Sequence, residues 1–267
     1  RNCGFCFGVR RAVKAVLDER GRRTGPIYTL GPLLHNPQVV QELRSQDIIP
    51  VSDVAAVKEG VVAFRSHGIL REEEEYIGKQ GLTAIDTVCP FVKRVRERAM
   101  LLRKEGYRVV IVGDPEHPEV KSVLSYLDND GIVLPNPLPV EAHKIGVVSQ
   151  TTQDHATYVA VVQTLVGKAE ELRAFNTICD STRSRKDEAV ALARTVDVML
   201  VVGGRNSANT TKLFHLVQKV QPRSYHVETE GELEREWFAG AKRVGIAGGA
   251  STPDSIIERV ERRVNNL

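Results

Sequence analysis

Three cysteines, Cys6, Cys89 and Cys179, share a local context that favours thiolate chemistry. Each follows a short apolar segment and precedes a stretch with the pattern of a helix. The start of a helix carries partial positive charge, and this charge favours the thiolate over the thiol. The thiolate is the form that binds a metal or attacks as a nucleophile. The three positions therefore indicate either a metal site or a nucleophile.

The segment around Cys89 is the clearest example of this context. The apolar residues before Cys89 predict a strand, and Pro90 suits the first position of a helix, where its missing N–H removes no bond. More than 80 residues separate each cysteine of the set from the next, which is too far for a local cysteine motif. This spacing suggests an internal repeat.

The same order of predicted elements follows each of these cysteines. A helix leads to an apolar strand that ends in glycine, and a polar loop, an amphipathic segment and a second apolar strand with its own polar loop come next. The first strands are residues 26–31, 109–113 and 198–203, and the second strands are residues 61–64, 145–148 and 244–247. Continuous apolar strands that alternate with helices are typical of parallel sheets covered on both faces.

The sequence therefore predicts an α/β protein made of three tandem α/β units that are related by pseudo-threefold symmetry, each with a parallel sheet. The predicted units are residues 1–89, 90–178 and 179–267. This repeat is much longer than the period of a solenoid. Cys89 and Cys179 have a strand before them, whereas Cys6 has almost none. We therefore expect that a strand-length segment is missing ahead of Arg1.

Composition excludes several classes of protein. Of the 267 residues, 42% are hydrophobic and 27% are charged, which is ordinary for a globular protein. A net charge of +3 lacks the basic field of a general nucleic-acid binder. No apolar run approaches the roughly 20 residues of a membrane span, and no signal peptide is visible. Four cysteines without a secretory signal indicate reduced thiols in the cytoplasm.

Pseudo-threefold symmetry would bring the three repeated cysteines to one axis. Three protein thiolates leave one position of a tetrahedral metal, or one iron of a cubane cluster, open for a substrate. The alternative is three buried structural cysteines, because cysteine is among the most buried residue types. The repeated register favours ligation. Cys3 has no counterpart in the other units, so we interpret it as a bystander, with a redox or zinc Cys-x-x-Cys pair with Cys6 as the alternative.

Polar side chains occupy the loops that follow the predicted strands. Ligands of parallel α/β sheets bind beyond the carboxyl ends of the strands, and three histidines of this chain fall in such loops. The candidates at this edge are His35, His67, His117, Glu119, Thr151, Thr152, Ser207, Asn209 and Ser251. Histidine, hydroxyl and amide donors near helix N-termini suit a compact anion such as a phosphate or diphosphate. No Walker loop or Rossmann glycine fingerprint is present, so we expect no nucleotide cofactor.

An ordered set of short motifs resembles one known family over essentially the whole chain. The set is Gly4-Phe5-Cys6-x-Gly8-Val9, His35-Asn36, Ser66-His67-Gly68, Asp86-Thr87-Val88-Cys89-Pro90, His117-Pro118-Glu119-Val120, Gln150-Thr151-Thr152, Thr177-Ile178-Cys179, Asn206-Ser207-x-Asn209 and Gly249-Ala250-Ser251-x-Pro253. It resembles the hydroxymethylbutenyl diphosphate reductases, also called the IspH or LytB family. Each motif alone is weak, but the ordered set is highly specific.

The resemblance implies a cloverleaf of three α/β domains around a 4Fe–4S cluster, which oxidation would convert to 3Fe–4S. Cys6, Cys89 and Cys179 match the ligands of three irons, and the fourth iron stays open for the substrate. Residues at positions that bind the substrate in the family are His35, His67, His117, Thr151, Ser207, Ala208, Asn209 and Ser251, and all of these except Thr151 surround the diphosphate. Glu119 matches the residue that delivers protons, with Thr151 and His117 beside it. Ala208 departs from the family pattern, because many members have a second serine there.

The implied reaction is a two-electron reductive dehydroxylation that gives isopentenyl and dimethylallyl diphosphates. It needs an external electron donor such as ferredoxin or flavodoxin, and we expect a cytoplasmic monomer with no nucleic-acid or membrane partner. Glu119 could supply the proton directly or through the hydroxyl of Thr151. Two rival classes remain at this point. One is a cubane-cluster hydro-lyase, which needs no reductant, and the other is an iron–sulfur or zinc protein without catalytic activity.

Overall fold

The structure, a computed structural model, describes residues 3–267, which form two compact bodies. Body I comprises residues 3–10, Leu34–Ser45 and Asp180–Leu267, and body II comprises Arg11–Leu33 and Gln46–Cys179. No helix in this described part of the chain has both the length and the apolar character that crossing a bilayer requires.

Helices and strands alternate along the chain. The helices are α1 Phe7–Arg20, α2 Pro37–Arg44, α3 Arg71–Lys79, α4 Pro90–Lys104, α5 Pro118–Ser125, α6 His155–Leu165, α7 Asp180–Ala193, α8 Ala208–Gln218 and α9 Asp254–Asn265. The strands are β1 Ile27–Leu30, β2 Ile48–Val51, β3 Val61–Ala63, β4 Thr83–Ile85, β5 Arg108–Val112, β6 Ile132–Leu134, β7 Lys144–Ser149, β8 Glu171–Ala174, β9 Val198–Val202, β10 Ser224–Val227 and β11 Val244–Gly248. Short 3₁₀ turns lie at Val54–Ala56, Glu230–Glu232 and Arg235–Phe238.

The strands form three parallel sheets, as the sequence predicts. The strand orders are β2-β1-β3-β4, β6-β5-β7-β8 and β10-β9-β11. The first two sheets correspond strand by strand, and in the third β9, β10 and β11 take the places of β5, β6 and β7. Each sheet draws its strands from one of the three predicted units, while the boundaries of those units stay a prediction.

The third sheet has three strands within residues 3–267, where the other two sheets have four. β4 and β8 each lie shortly before a cysteine of the repeated set. Their counterpart in the third sheet would lie ahead of Cys6. The segment expected ahead of Arg1 thus falls outside the described residues.

In body II, α4 and α6 cover opposite faces of the second sheet. One cluster joins α4 to one face and consists, among others, of Val95, Ala99, Leu102, Val109, Ile111 and Val148. The other joins α6 to the opposite face and includes Val110, Val112, Val147, Tyr158, Val161 and Leu165. Because successive strand residues point to opposite faces, a strand covered on both sides must be apolar throughout. Gly146 lets α4 approach closely, since a Cβ there would lie 2.7 Å from Cδ2 of Leu102.

Body I is built in the same way around the third sheet. α7 and α8 pack on one face through a cluster that includes Ala189, Ala193, Met199, Val201, Leu213 and Val217. α9 packs on the other face through a cluster that includes Val198, Leu200, Val202, Ile256 and Val260. These layers hold the carboxyl ends of the strands, and the loops that follow them, in fixed positions.

Candidate functional site

Each of the three repeated cysteines lies directly before a helix. α1 begins at Phe7, α4 at Pro90 and α7 at Asp180. Cys89 is the N-cap residue of α4, with Pro90 at the first helical position as predicted. All three cysteines are half-buried. The predicted junction of strand and helix is therefore present at Cys89 and Cys179. At Cys6 the described residues show the helix that follows the cysteine.

The backbone N–H of each cysteine makes the same kind of hydrogen bond. It donates to a carbonyl in the loop that follows the equivalent strand of a sheet, namely β11, β3 and β7. The pairs are Cys6 to Ala250 at 3.0 Å, Cys89 to Ser66 at 3.0 Å and Cys179 to Thr151 at 2.9 Å. The same anchoring contact thus recurs at all three cysteines.

An arginine that the sequence analysis did not single out supports the segment before Cys89. The guanidinium of Arg11 donates to the carbonyls of Val88, at 3.0 Å, and Asp86, at 3.1 Å. The carboxylate of Asp86 in turn accepts the N–H of Val88 at 3.1 Å. The side chain of Thr87 donates to the carbonyl of Phe64. Thr87 is fully buried between Asp86 and Val88.

Glu119 is a carboxyl group in a buried position. It lies in the first turn of α5, and the residue is 1% exposed. Its Oε1 accepts the backbone N–H of Thr151, and its Oε2 accepts the Thr151 hydroxyl, each at 2.7 Å. The two residues that the sequence pairs for proton delivery are therefore in direct contact.

Burial raises the pKa of Glu119 from 4.5 to about 7. Desolvation penalises the charged carboxylate, and this cause outweighs the two hydrogen bonds from Thr151, which favour the charged form. A carboxyl with a pKa near the working pH can both hold a proton and release it. Glu119 is therefore suited to act as a general acid at neutral pH.

His117 is the N-cap residue of α5, and its ring has a fixed orientation. Nδ1 accepts the N–H of Glu119 at 3.1 Å, so a neutral ring carries its proton on Nε2 as a donor. His67 lies in the loop after β3, and its ring meets that of His117 edge to face, with the centroids 5.6 Å apart. Body II therefore brings together His67, His117, Glu119 and Thr151, with Thr151 bonded to Cys179.

Body I brings together the other predicted anion-binding residues. The hydroxyl of Ser251, after β11, donates to the carbonyl of His35 at 3.0 Å. A Cβ on Gly204, in the loop after β9, would lie 3.0 Å from the same carbonyl. Ser207 is the N-cap residue of α8, and Ala208 and Asn209 form the first turn of that helix. The His35 loop thus packs against the two loops that carry Ser207, Asn209 and Ser251.

Two buried polar groups of body I were missed as individual site residues. Asn36 is fully buried, and its Oδ1 caps α2 by accepting the N–H of Val39 at 3.1 Å. Its Nδ2 and the hydroxyl of Thr210 have no hydrogen-bond partner within residues 3–267. Asparagine directly before Pro37 is an N-cap signal that could have identified Asn36. Thr210 follows Asn209 without a signal of its own.

The donor set of the predicted metal site is the three cysteines. Cysteine sulfurs are the usual ligands of iron–sulfur clusters. The chemistry of these residues therefore fits an iron–sulfur cluster. In the part of the chain that the structure describes, no group of three or more His, Cys, Asp or Glu side chains is arranged to hold a single metal ion.

Comparison with known proteins gives a consistent result over the full length. A profile of the LytB protein family matches residues 1–265. The 4-hydroxy-3-methylbut-2-enyl diphosphate reductase of Geobacter sulfurreducens is 44% identical over 276 residues, which cover 100% of this chain and 96% of that protein. The enzyme of the same name from Aquifex aeolicus is 44% identical over 274 residues, which cover 100% of this chain and 94% of that protein.

Two solved structures resemble the chain throughout. One is (E)-4-hydroxy-3-methyl-but-2-enyl diphosphate reductase, the terminal enzyme of the non-mevalonate pathway, with a TM-score of 0.77 and 43% identity over 100% of this chain and 98% of that one. The other is the E-1-hydroxy-2-methyl-but-2-enyl-4-diphosphate reductase from Plasmodium falciparum, with a TM-score of 0.89 and 26% identity over 99% of this chain and 85% of that one. These matches confirm the predicted α/β fold class. The chain belongs to the LytB protein family.

Proposed function

We propose that this protein is a reductase that removes the hydroxyl group of (E)-4-hydroxy-3-methylbut-2-enyl diphosphate, the terminal step of the methylerythritol phosphate route to isoprenoids. Full-length relatives named for this activity support the assignment. The structural observation that carries it is the buried pair of Glu119 and Thr151, placed beside the Cys179 junction. A reductive dehydroxylation requires a proton for the leaving oxygen, and the buried Glu119–Thr151 pair can supply it.

The reaction consumes two electrons and two protons. The carbon–oxygen bond breaks, the oxygen leaves as water, and the carbon skeleton takes up one proton to give isopentenyl or dimethylallyl diphosphate. Family membership implies an iron–sulfur reductase. We assign Cys6, Cys89 and Cys179 as the three ligands of a 4Fe–4S cluster. When bound, such a cluster supplies the electrons and an open iron that acts as a Lewis acid.

Glu119 supplies the proton that the leaving oxygen needs. With its pKa at about 7, a substantial fraction of the carboxyl is protonated at neutral pH. The hydroxyl of Thr151 contacts Oε2 of Glu119, so it can accept that proton on its oxygen while it donates its own proton onward. General acid catalysis of this kind contributes about 10²- to 10⁴-fold to a rate. His117 keeps this carboxyl in place through the N–H of Glu119.

The diphosphate of the substrate is held by ring, hydroxyl and amide donors from the loops after the strands. We assign this role to His35, His67, His117, Ser207, Ala208, Asn209 and Ser251. Thr151 binds the substrate beside Glu119. Ala208 is the first residue of α8 and offers its backbone N–H in place of a side chain. The N-termini of α5 and α8 add the positive ends of their dipoles.

The remaining assignments follow from the chemistry of the cluster. A small iron–sulfur or flavin protein, such as ferredoxin or flavodoxin, delivers the electrons. The thiolate ligands require a reducing compartment, so we place the enzyme in the cytoplasm, as a monomer. With predicted α/β units at residues 1–89, 90–178 and 179–267, Cys6 lies near the start of the first unit, Cys89 directly precedes the second and Cys179 begins the third.

Anaerobic turnover with and without reduced ferredoxin or dithionite tests the proposal. A reductase forms the two diphosphate products only when the electron donor is present. A cubane-cluster hydro-lyase would convert the substrate without a donor, which would overturn the proposal. An iron–sulfur or zinc protein without catalytic activity would give no product in either arm. The control is the Glu119→Gln variant, which should keep the cluster absorbance and lose the activity.

A further inference from the structure

Ser122 joins the helix that carries His117 to the loop that carries His67. It lies on α5, five residues after His117, and is 3% exposed. Its hydroxyl donates to the carbonyl of Ile69, two residues after His67, at 2.7 Å. This is a side-chain bond between two elements that are distant in sequence. This hydrogen bond fixes the distance between the His67 loop and α5.

Gly68 allows the loop and the helix to touch. Its φ of 112° is in the region that favours glycine, and a Cβ there would lie 2.4 Å from Oγ of Ser122 and 2.7 Å from its Cβ. The backbone of Gly68 therefore rests directly on the side chain of Ser122. A larger residue on either side would force the two elements apart.

Other contacts restrain the loop so that it cannot slide away from this point. The hydroxyl of Ser66 donates to the carbonyl of Leu33 at 3.1 Å, and Nε of Arg65 donates to the carbonyl of Gly68 at 3.3 Å. On the other side, His117 is fixed by the bond from the N–H of Glu119 to its Nδ1. With both ends restrained, the contact between Gly68 and Ser122 limits how closely the backbone segments that carry His67 and His117 approach each other.

We propose that Ser122 is the positioning residue for the His67–His117 pair. Its small side chain sets the distance between the two imidazole rings, and both rings bind one diphosphate group. Ser122 does not contact the ligand itself, because it is buried and its hydroxyl bonds to Ile69. The inference rests on the proposed function, in which both histidines bind the diphosphate. It adds to that function the residue that determines the distance between the two diphosphate-binding histidine rings.

Two substitutions at this position separate the hydroxyl from the size of the side chain. Ser122→Ala removes the bond to Ile69 and adds no atoms, whereas Ser122→Thr keeps a hydroxyl and adds a methyl group where Gly68 rests. Ser125→Ala is the matched control. Ser125 lies one turn further along α5 and donates to the carbonyl of Ser122 at 2.7 Å, but it accepts the N–H of Arg71 at 3.0 Å rather than supporting Gly68.

The measurements are kcat, KM and the inhibition constant of inorganic diphosphate, on the anaerobic holoenzyme. For Ser122→Ala we expect KM and the inhibition constant to rise about threefold to tenfold, the range of one lost hydrogen bond, with kcat nearly unchanged. For Ser122→Thr we expect both to rise as well, because the added methyl group pushes Gly68 away from α5, again with kcat nearly unchanged. Ser125→Ala should change both by less than about twofold, since its bond is outside the histidine pair. Equal cluster absorbance and melting temperature establish that each variant is folded.

A double-mutant cycle with His67→Ala distinguishes positioning from a general structural role. If Ser122 acts through His67, the effect of Ser122→Thr on the inhibition constant disappears in the His67→Ala background. Independent, additive effects would overturn the inference, and so would equal effects of the Ser122 and Ser125 variants. If His67→Ala and His117→Ala both bind inorganic diphosphate as tightly as the unchanged protein, the proposed diphosphate site is wrong, and the inference fails with it.

Discussion

Glu119 and Thr151 are joined by two hydrogen bonds of 2.7 Å, one from the backbone N–H and one from the hydroxyl of Thr151. Both oxygens of the carboxyl are thereby used, and the residue is 1% exposed. A buried carboxyl with this few donors is costly to ionise, so its proton is held at higher pH than in water. The Thr151 carbonyl also accepts the N–H of Cys179, so the proton donor and one proposed cluster ligand share an anchor.

Replacing Glu119 by glutamine should reduce turnover by about 10²- to 10⁴-fold, because the amide cannot deliver a proton. Glutamine keeps the size of the side chain and can still accept one bond from Thr151. Anaerobic steady-state kinetics and the visible absorbance of the cluster are the measurements. The matched control is Glu116→Gln, since Glu116 lies in the loop just before α5 and pairs with Lys121 at the surface. Activity within twofold of the unchanged protein in Glu119→Gln would remove Glu119 from its role.

The rate should depend on pH through the same group. The acid form of Glu119 is the active one and predominates below its pKa of about 7, so kcat should fall as the pH rises through about 7. A pH profile of kcat between pH 6 and 9, with saturating electron donor, would show this limb. The residual activity of Glu119→Gln should lack it. A profile with the same limb in both proteins would assign the titration to another group.

The raised pKa of Glu119 also makes a prediction about stability. The carboxyl is protonated in both states below pH 4.5, whereas between pH 4.5 and about 7 the unfolded chain ionises it and the folded protein does not. The unfolded state then binds fewer protons, so the free energy of unfolding falls as the pH rises. Above about pH 7 the free energy of unfolding has fallen by the full amount, which is on the order of 3 kcal/mol.

Glu119→Gln has no carboxyl group to ionise at this position. Its free energy of unfolding should therefore lack the pH dependence that Glu119 causes. Urea denaturation of both proteins at pH 5 and pH 8 gives the comparison. The variant should gain about 2.5 kcal/mol relative to the unchanged protein on going from pH 5 to pH 8, because part of the loss is already present at pH 5. Parallel pH dependences would mean that Glu119 is solvated in the folded protein, and its assignment as the neutral-pH acid would then fail.

Local patterns in the sequence were sufficient to predict the helices and strands and the positions where the strands end. Continuous apolar strands, Pro90 and the position of Asn36 before Pro37 all act within a few residues, so strand, helix start and cap can be predicted from them. The repeated cysteines and the loop histidines follow from the same local signals. The three parallel sheets confirm this part of the prediction.

Contacts between distant loops could not be predicted from the sequence. Ser251 and the carbonyl of His35 are 216 residues apart, and no local periodicity indicates that these two loops meet. The support of the His67 loop by Ser122 is hidden for the same reason, because a serine in a short helix has no pattern that distinguishes it. Such contacts depend on how whole layers pack, and this is a property of tertiary structure.

The roles of the four cysteines can be separated by the iron that each variant retains. Cys6, Cys89 and Cys179 share an N–H anchored to a loop after a strand, whereas the thiol of Cys3 donates to the carbonyl of Ile246 at 3.7 Å. A cubane cluster holds about four iron atoms and about four sulfide ions. Alanine at Cys6, Cys89 or Cys179 should reduce the bound iron and sulfide to a small fraction of these amounts. Cys3→Ala is the matched control and should keep them. Anaerobic iron and sulfide quantitation gives the result, together with the melting temperature as a check on folding. Loss of iron in Cys3→Ala but not in Cys89→Ala would favour a local Cys-x-x-Cys site, and three thiolates from distant parts of the chain would then not be the cluster ligands.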